Sequence, residues 1–155
     1  MDSNTIHIRQ AQPADLTALV ALFDAYRVWY EKPSDPAGAL AFLQARMENR
    51  ESIVYLAFEG DQAVGFTQLY PLFSSTRMKR LWLLNDLFVD AAHRGKGISK
   101  LLLDRAKTLA RETGACEVML ETAKTNDIGN RLYPAAGFDL GTDFNWYHWE
   151  LSEEH

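Results

Sequence analysis

One cysteine, Cys116, stands alone in a chain of 155 residues. That excludes an internal disulfide and any zinc site built on cysteine pairs, and it fits a reducing compartment. Cys116 sits in an apolar stretch, where a cysteine behaves as a small inert hydrophobe rather than a nucleophile. Long apolar runs are missing as well, since none approaches the ~20 residues that cross a bilayer. The opening residues Met1, Asp2, Ser3 and Asn4 lack the basic and then apolar leader of a secreted chain, so the expected location is the cytoplasm, with no membrane partner. Positive charge is in deficit: 16 Lys and Arg against 21 Asp and Glu leave a net charge of −5. This argues against nucleic acid as a partner and suits a cationic substrate. His7, His93 and His148 show no metal-ligand spacing, and no metal is expected. There is no repeat, linker or low-complexity tract, and 47% apolar residues exclude disorder. One globular domain over residues 1–155 follows.

Period-2 and period-3.6 patterns divide the chain into short elements. Residues 5–10 alternate as a strand. Leu16, Leu19, Val20 and Phe23 then recur at helical spacing until Pro33 and Pro36 interrupt, and Leu40, Leu43 and Met47 mark a second helix. Residues 52–58 and 63–72 read as strands joined by a turn at Gly60, and residues 80–90 as a third long strand. A helix over 98–113 ends at Gly114, followed by a strand at 116–121, a short helix at 126–136 and a last strand at 144–151. Early hairpins and a later strand-helix-strand unit predict an α+β fold, three layers deep, with helices on both faces of a mixed sheet.

Between the strand 80–90 and the helix 98–113 lies the turn Arg94, Gly95, Lys96, Gly97, Ile98, Ser99. A glycine-rich turn from strand into helix leaves several backbone N–H groups unpaired, a cradle for an anion. Gly95 and Gly97 can take positive φ and let a phosphate approach the main chain, while Arg94 and Lys96 add charge. A dinucleotide fold would need a third glycine, where this chain has Lys100, and a P-loop needs four residues between its glycines; both spacings fail. The spacing that matches is R-x-x-G-x-G/A after a strand, carried by Arg94, Gly97 and, with serine in place of glycine or alanine, Ser99.

This resembles the pyrophosphate-binding motif of the GNAT superfamily of N-acetyltransferases, nearest in motif to its polyamine, small-amine and histone-type branches. Asn126, Asn130, Tyr133, Gly137 and Phe138 also resemble the family pattern N-x-x-x-N-x-x-x-Y/F-x-x-x-G-F. The resemblance implies a mostly antiparallel sheet, split between the strand ending near Val89 and the strand 116–121, and acetyl-CoA as co-substrate. Leu87, Phe88 and Val89 would border its pantetheine arm. An amide near Phe88, freed by a bulge, would bond the thioester carbonyl, and one near Val89 would bond the pantetheine. Arg94 through Ser99 would hold the pyrophosphate, with Asn126 and Asn130 contributing, and Tyr133 would give a proton to the departing thiolate. Pro134, with no N–H for the Asn130 carbonyl, should shorten or kink the helix that carries Tyr133.

Transfer requires a neutral amine, and an amine of pKa about 10.4 is less than ~0.1% neutral at pH 7. Asp86, Glu31, Glu121 and a backbone-held water are candidates to take the proton. The segment Leu84-Asn85-Asp86-Leu87-Phe88-Val89 resembles the L-E-D-x-F-V of the polyamine branch, with Asn85 where the family has a proton-handling glutamate. The role then passes to Asp86 or to water, or the substrate differs; Asp86 can equally be a hydrogen-bonded carboxylate that fixes the strand. Tyr26, Tyr30 and Glu31 crowd the end of the first helix, and with Asn85 they would wall the acceptor side. The expected acceptor is a primary amine on a polyamine-like small molecule or a lysine side chain, and the expected assembly includes a homodimer. Asn85 in place of the acid keeps one alternative open, an acyl-CoA-binding regulator without transfer activity.

Overall fold

The structure, a computed structural model, describes residues 5–152. These fall into two compact units, one running to Glu121 and the other starting at Thr122. The first unit is a five-stranded sheet in the order β1 (Ile6–Gln10), β2 (Ile53–Glu59), β3 (Gln62–Ser74), β4 (Lys79–Val89), β5 (Val118–Met119). The first three pairings are antiparallel and the last is parallel. Helices α1 (Leu16–Trp29), α2 (Pro36–Glu48) and α3 (Ile98–Glu112) complete it.

Strand alternation sends β2 side chains to opposite faces. Val54, Leu56 and Phe58 join Leu19, Leu22 and Phe23 of α1, Ala39 and Leu43 of α2, and Phe66 and Phe88 in one buried cluster. The opposite face carries α3, whose Ile98, Leu102, Leu103, Ala106 and Leu109 are buried. There Arg105 lies over the Tyr55 ring at 4.5 Å, and the Trp82 indole N–H donates to Thr113 Oγ1 at 2.9 Å. The expected three layers are therefore present in the first unit.

Local chemistry sets the helix ends. Asp35 caps α2 by accepting from the Gly38 amide at 2.9 Å, with Pro36 at the first helical position, where its missing N–H costs nothing. Arg9 and Asp15 form a two-pronged ion pair at 2.7 and 2.8 Å ahead of α1. The carboxylate also accepts from the Gln12 amide, and these bonds hold Asp15 below the usual carboxylate range.

Two differences from the sequence reading concern strands. The strand at 116–121 is reduced to β5, which faces β4 only at Trp82–Val118 and Leu83–Met119. Beyond Leu83 the outer edge of β4 has no paired strand among the described residues, which is the predicted split. Residues 144–151, expected as a strand, have no regular secondary structure, and Phe144, Trp146, Tyr147 and Trp149 are exposed. Their alternation slips at Trp146-Tyr147, so no single face collects the aromatics, and a strand without a partner ladder is not stable. In the second unit, α4 (Asp127–Ala135) runs through Pro134 and closes over Gly137, whose amide donates to the Pro134 carbonyl at 3.0 Å, within one residue of the expected span at each end.

One close approach ties β3 to the end of β4. Gly65 faces Val89, and a Cβ built on Gly65 would stand 2.9 Å from the Phe88 carbonyl oxygen. Backbone cannot step aside as a flexible side chain can. Gly65→Ala should therefore lower stability by about 1–3 kcal/mol through overpacking, measured by urea unfolding. A variant as stable as the parent would show that the two strands separate freely here.

Candidate active site

The centre of the first unit is a bulge. Gln68 faces Asp86 and Leu69 faces Leu84, leaving Asn85 as one extra residue on β4. An inserted residue exchanges the faces of everything after it. Leu84 shares its face with Trp82 toward α3, while Asp86 and Phe88 turn to the α1–α2 side, where Phe88 joins the core. Asp86 would otherwise follow Leu84 into the α3 layer.

Asp86 is 5% exposed. Its carboxylate accepts from Gln68 Nε2 at 2.8 Å and from Asn85 Nδ2 at 3.1 Å, and the Tyr26 hydroxyl also bonds to it. Burial nonetheless dominates and pushes the Asp86 carboxyl above its ordinary range, with the three hydrogen bonds pulling the other way. Tyr70 is pushed up to about 12, first by burial and then by the Asp86 charge. Asn85 and Asp86 thus meet, as only a bulge permits. Tyr30 stands edge-on to Tyr26 at 5.0 Å between ring centres, and Glu31 is exposed just past α1 with φ of 63°.

The same bulge decides which amides of β4 are open. The Asp90 amide donates to Val64 of β3 at 2.8 Å, so by strand alternation the Phe88 amide also faces β3 and those of Leu87 and Val89 face the outer edge. The Phe88 amide is thus committed to the sheet, and the nearest outward amides are those of Leu87 and Val89. Phe88 contributes its ring to the core instead.

After β4, a short turn over Ala91–His93 leads to the glycines. Arg94 Nε donates to the Val89 carbonyl at 3.1 Å and its guanidinium carbon lies 5.7 Å from the Phe88 ring centre. Its two terminal nitrogens have no protein partner among the described residues. Gly95 and Gly97 have φ of 82° and 77°, and a Cβ on either would meet nothing within 4 Å. Gly97 caps α3 without a side-chain bond, so the first-turn amides of Ile98, Ser99 and Lys100 have no acceptor within the helix. Ile98 offers its amide only, its side chain being 2% exposed in the core. Lys96 departs from expectation: Nζ is paired with Glu59 Oε1 at 2.8 Å, turned to the end of β2. His93 lies between Glu59 Oε2 at 3.2 Å and Asp90 Oδ2 at 2.9 Å. Arg94 is left as the cationic side chain of an open anion cradle.

In the second unit, Asn126 caps α4 by accepting from the Gly129 amide at 3.1 Å and donates to Thr122 Oγ1 at 2.8 Å. Asn130 donates to the carbonyls of Ala123, Lys124 and Asn126. Both amides therefore shape the loop before α4. Tyr133 is half-buried, its ring edge-on to Phe138 at 6.2 Å, and its carbonyl accepts from the Phe138 amide past Gly137, whose φ is 91°. Among the described residues, no group of three or more His, Cys, Asp or Glu is placed to hold a metal.

The model of the acetyltransferase (GNAT) family matches residues 19–138, which include the bulge, the cradle and the Tyr133 motif. This chain belongs to that family. It is 45% identical over 142 residues to an uncharacterized N-acetyltransferase of Bacillus subtilis, YhfO, covering 92% of this chain and 95% of that protein. The crystal structure of a protein described as a probable acetyltransferase superposes with a TM-score of 0.91 at 38% identity, covering 96% and 99% of the two chains. The aminoglycoside N-acetyltransferase AAC(6')-Iy, solved with CoA, has a TM-score of 0.77 at 21% identity, covering 95% and 96%, and shares the fold. The chain is therefore an acetyl-CoA-dependent N-acetyltransferase of GNAT type, and the regulator alternative is set aside.

Sequence reasoning missed Gln68, Tyr70 and Glu59. Gln68 was detectable as a lone amide inside the apolar strand from Val64 to Leu69, since a buried polar group needs a partner. Asp86 also has a consequence for pH. Its folded pKa is raised above the unfolded value, near 3.9, so the folded chain binds the proton more tightly. Its contribution to stability is full below about pH 3.9 and is lost as pH rises through the folded value. Asp86→Asn should accordingly gain stability relative to the parent between pH 4 and pH 7. A difference constant across that range, in urea unfolding at both ends, would show that the carboxyl is not shifted upward.

Proposed function

We propose that this chain acetylates a primary amine, on a polyamine-like or other cationic small molecule or on a lysine side chain, by direct attack on the thioester in a ternary complex. The observation that carries this reading is the open cradle between β4 and α3. Arg94 is anchored by Nε, its terminal nitrogens are unpaired, and free first-turn amides lie beside glycines with empty space in front. An anion at a helix N-terminus meets both the unpaired N–H groups and the helix dipole. The Leu87 and Val89 amides on the outer edge of β4 would serve the pantetheine and the thioester carbonyl.

Asp86 is the proton acceptor in this reading. A carboxylate held above its ordinary range lies nearer the pH at which it must accept a proton, which makes it a better base. Tyr26 and Tyr30 supply aromatic faces beside it for a cationic acceptor. Tyr133, assigned from its motif, serves the departing thiolate. The net charge of −5 favours a cationic acceptor, and one family relative by fold acts on aminoglycosides. The reading includes one functional domain from both units, a cytoplasmic location, and a homodimer that uses the exposed aromatics of residues 144–149.

Arg94→Ala should weaken coenzyme A binding by about tenfold or more, the worth of a charge-assisted hydrogen bond; an unaltered dissociation constant by calorimetry would remove the cradle. Tyr133→Phe should lower turnover about tenfold or more with acetyl-CoA affinity retained, and unchanged turnover would remove Tyr133 from the chemistry. Thiol release from acetyl-CoA, measured against polyamines, aminoglycosides, amino acids and lysine peptides, identifies the acceptor. Turnover confined to neutral or acidic amines would overturn the cationic reading.

A further inference from the structure

The interior of the first unit is apolar with one exception. Aromatics aside, three polar side chains are buried among the described residues, Thr67 and Gln68 fully and Asp86 nearly so. They form one group. Thr67 and Gln68 are neighbours on β3, and both reach to the same residue of β4: the Thr67 hydroxyl donates to the Asp86 carbonyl at 2.7 Å, and Gln68 Nε2 to Asp86 Oδ2 at 2.8 Å. The second contact is made across the bulge itself, where Gln68 faces Asp86 in register.

Stability does not account for Gln68. It lies in the apolar run from Val64 to Leu69, on the same side of β3 as the core residue Phe66. Its Oε1 is buried with no hydrogen-bond partner among the described residues, a cost that an apolar side chain of the same length would not carry. What it adds is a donor without a charge. The Asp86 carboxylate has three polar partners, all neutral: Gln68 on β3, Asn85 on β4 and Tyr26 on α1. None of the ion pairs among the described residues includes it. Of the other titratable groups around it, Tyr70 on β3 feels its charge, and Arg46 on α2 acts on Tyr70 in the opposite sense.

A neutral donor suits a base. A lysine or arginine in this place would pin the carboxylate in its ionised form, whereas burial without a donor would leave it protonated. A hydrogen bond given to the ionised form lies between these limits. The two oxygens are also told apart. Gln68 ties Oδ2 from inside the sheet, while Oδ1 is bonded by Asn85, whose side of the strand is exposed.

We propose that Gln68 is a positioning residue for proton removal, holding the Asp86 carboxylate ionised and turned so that Oδ1 meets the acceptor amine. This rests on Asp86 as the proton acceptor. In that step an ammonium N–H bond breaks and its proton passes to Oδ1. The electron pair left on nitrogen attacks the thioester carbon, and the C–S pair departs with the thiolate. Gln68 itself, being fully buried, acts only through Asp86.

Carbon-13 NMR of the full chain, labelled in its aspartate carboxyls, follows Asp86 through its titration, with Asp86→Asn assigning the signal. Gln68→Met keeps the length of the side chain and removes the donor, so the proton affinity of Asp86 should rise by about tenfold or more. Gln68→Glu sets a second carboxyl against the first and should also raise it; it decides the matter if Gln68→Met does not fold. With spermidine as acceptor, the acid limb of kcat/KM should move to higher pH in Gln68→Met by the same factor. Turnover should recover at the alkaline end, with acetyl-CoA affinity unchanged. An Asp86 titration that stays in place or falls would overturn the proposal. A loss of turnover equal at every pH, the mark of a packing defect, would do so too, as would a titration that moves while the spermidine profile does not. The titration needs no acetyl transfer, so a parent chain inert toward spermidine counts against the polyamine reading of the acceptor and not against the Gln68 contact.

Discussion

The bulge at Asn85 is the constraint from which the site follows. A strand with unbroken alternation would place Asp86 on the face it shares with Leu84 and Trp82, against α3, and would place Phe88 there too. One extra residue turns both to the α1–α2 side. Phe88 then fills the cluster with Phe23 and Phe66, and that burial holds the bulge in register. The same apolar packing removes water from Asp86 and raises its affinity for a proton. Core stability and proton affinity therefore share one cause. Thr67 adds to it from β3, its hydroxyl donating to the Asp86 carbonyl at 2.7 Å inside the sheet.

The end of β4 shows a similar economy of parts. Val89 faces its carbonyl outward, and Arg94 uses that carbonyl to anchor Nε. The guanidinium is thereby fixed to the strand that would carry the thioester, and not merely to a loop. Glu59, at the end of β2, holds both Lys96 and His93, so the turn is fastened to the sheet at two points. A fastened turn keeps its glycine amides pointed outward before any ligand arrives, which lowers the ordering cost of binding.

Much of this was legible in the chain because it is local. Two glycines with an arginine three residues ahead of the second mark a strand-to-helix turn, and the period-3.6 stripe after them marks α3. The bulge was expected only through family resemblance, because nothing in Leu84-Asn85-Asp86-Leu87 says which residue is extra. Register is settled by β3, and by the fit of Phe66 against Phe88. For the same reason it is the pairing with β3 that turns the Phe88 amide into the sheet and leaves those of Leu87 and Val89 at the outer edge. Lys96 was read as a phosphate ligand because its partner Glu59 lies 37 positions away in sequence. The aromatics at 144–151 promised a strand, yet strand formation is a property of a pair, and the slip at Trp146-Tyr147 leaves neither face uniform.

Charge completes the argument. An acidic chain repels its own acetyl donor, since coenzyme A is itself anionic, so the donor site needs a local positive field. Most basic side chains near the cradle do not supply one. Lys96 is neutralised by Glu59, and Lys100 by Asp104 at 3.3 Å. What remains is Arg94 and backbone: the free amides at the start of α3, whose partial charges are fixed in place and need no counterion. An anion site built chiefly from backbone adds little positive charge to the acidic surface around it. An acidic chain can thus carry an anion site, because the positive pole is made of Arg94 and peptide groups rather than lysines.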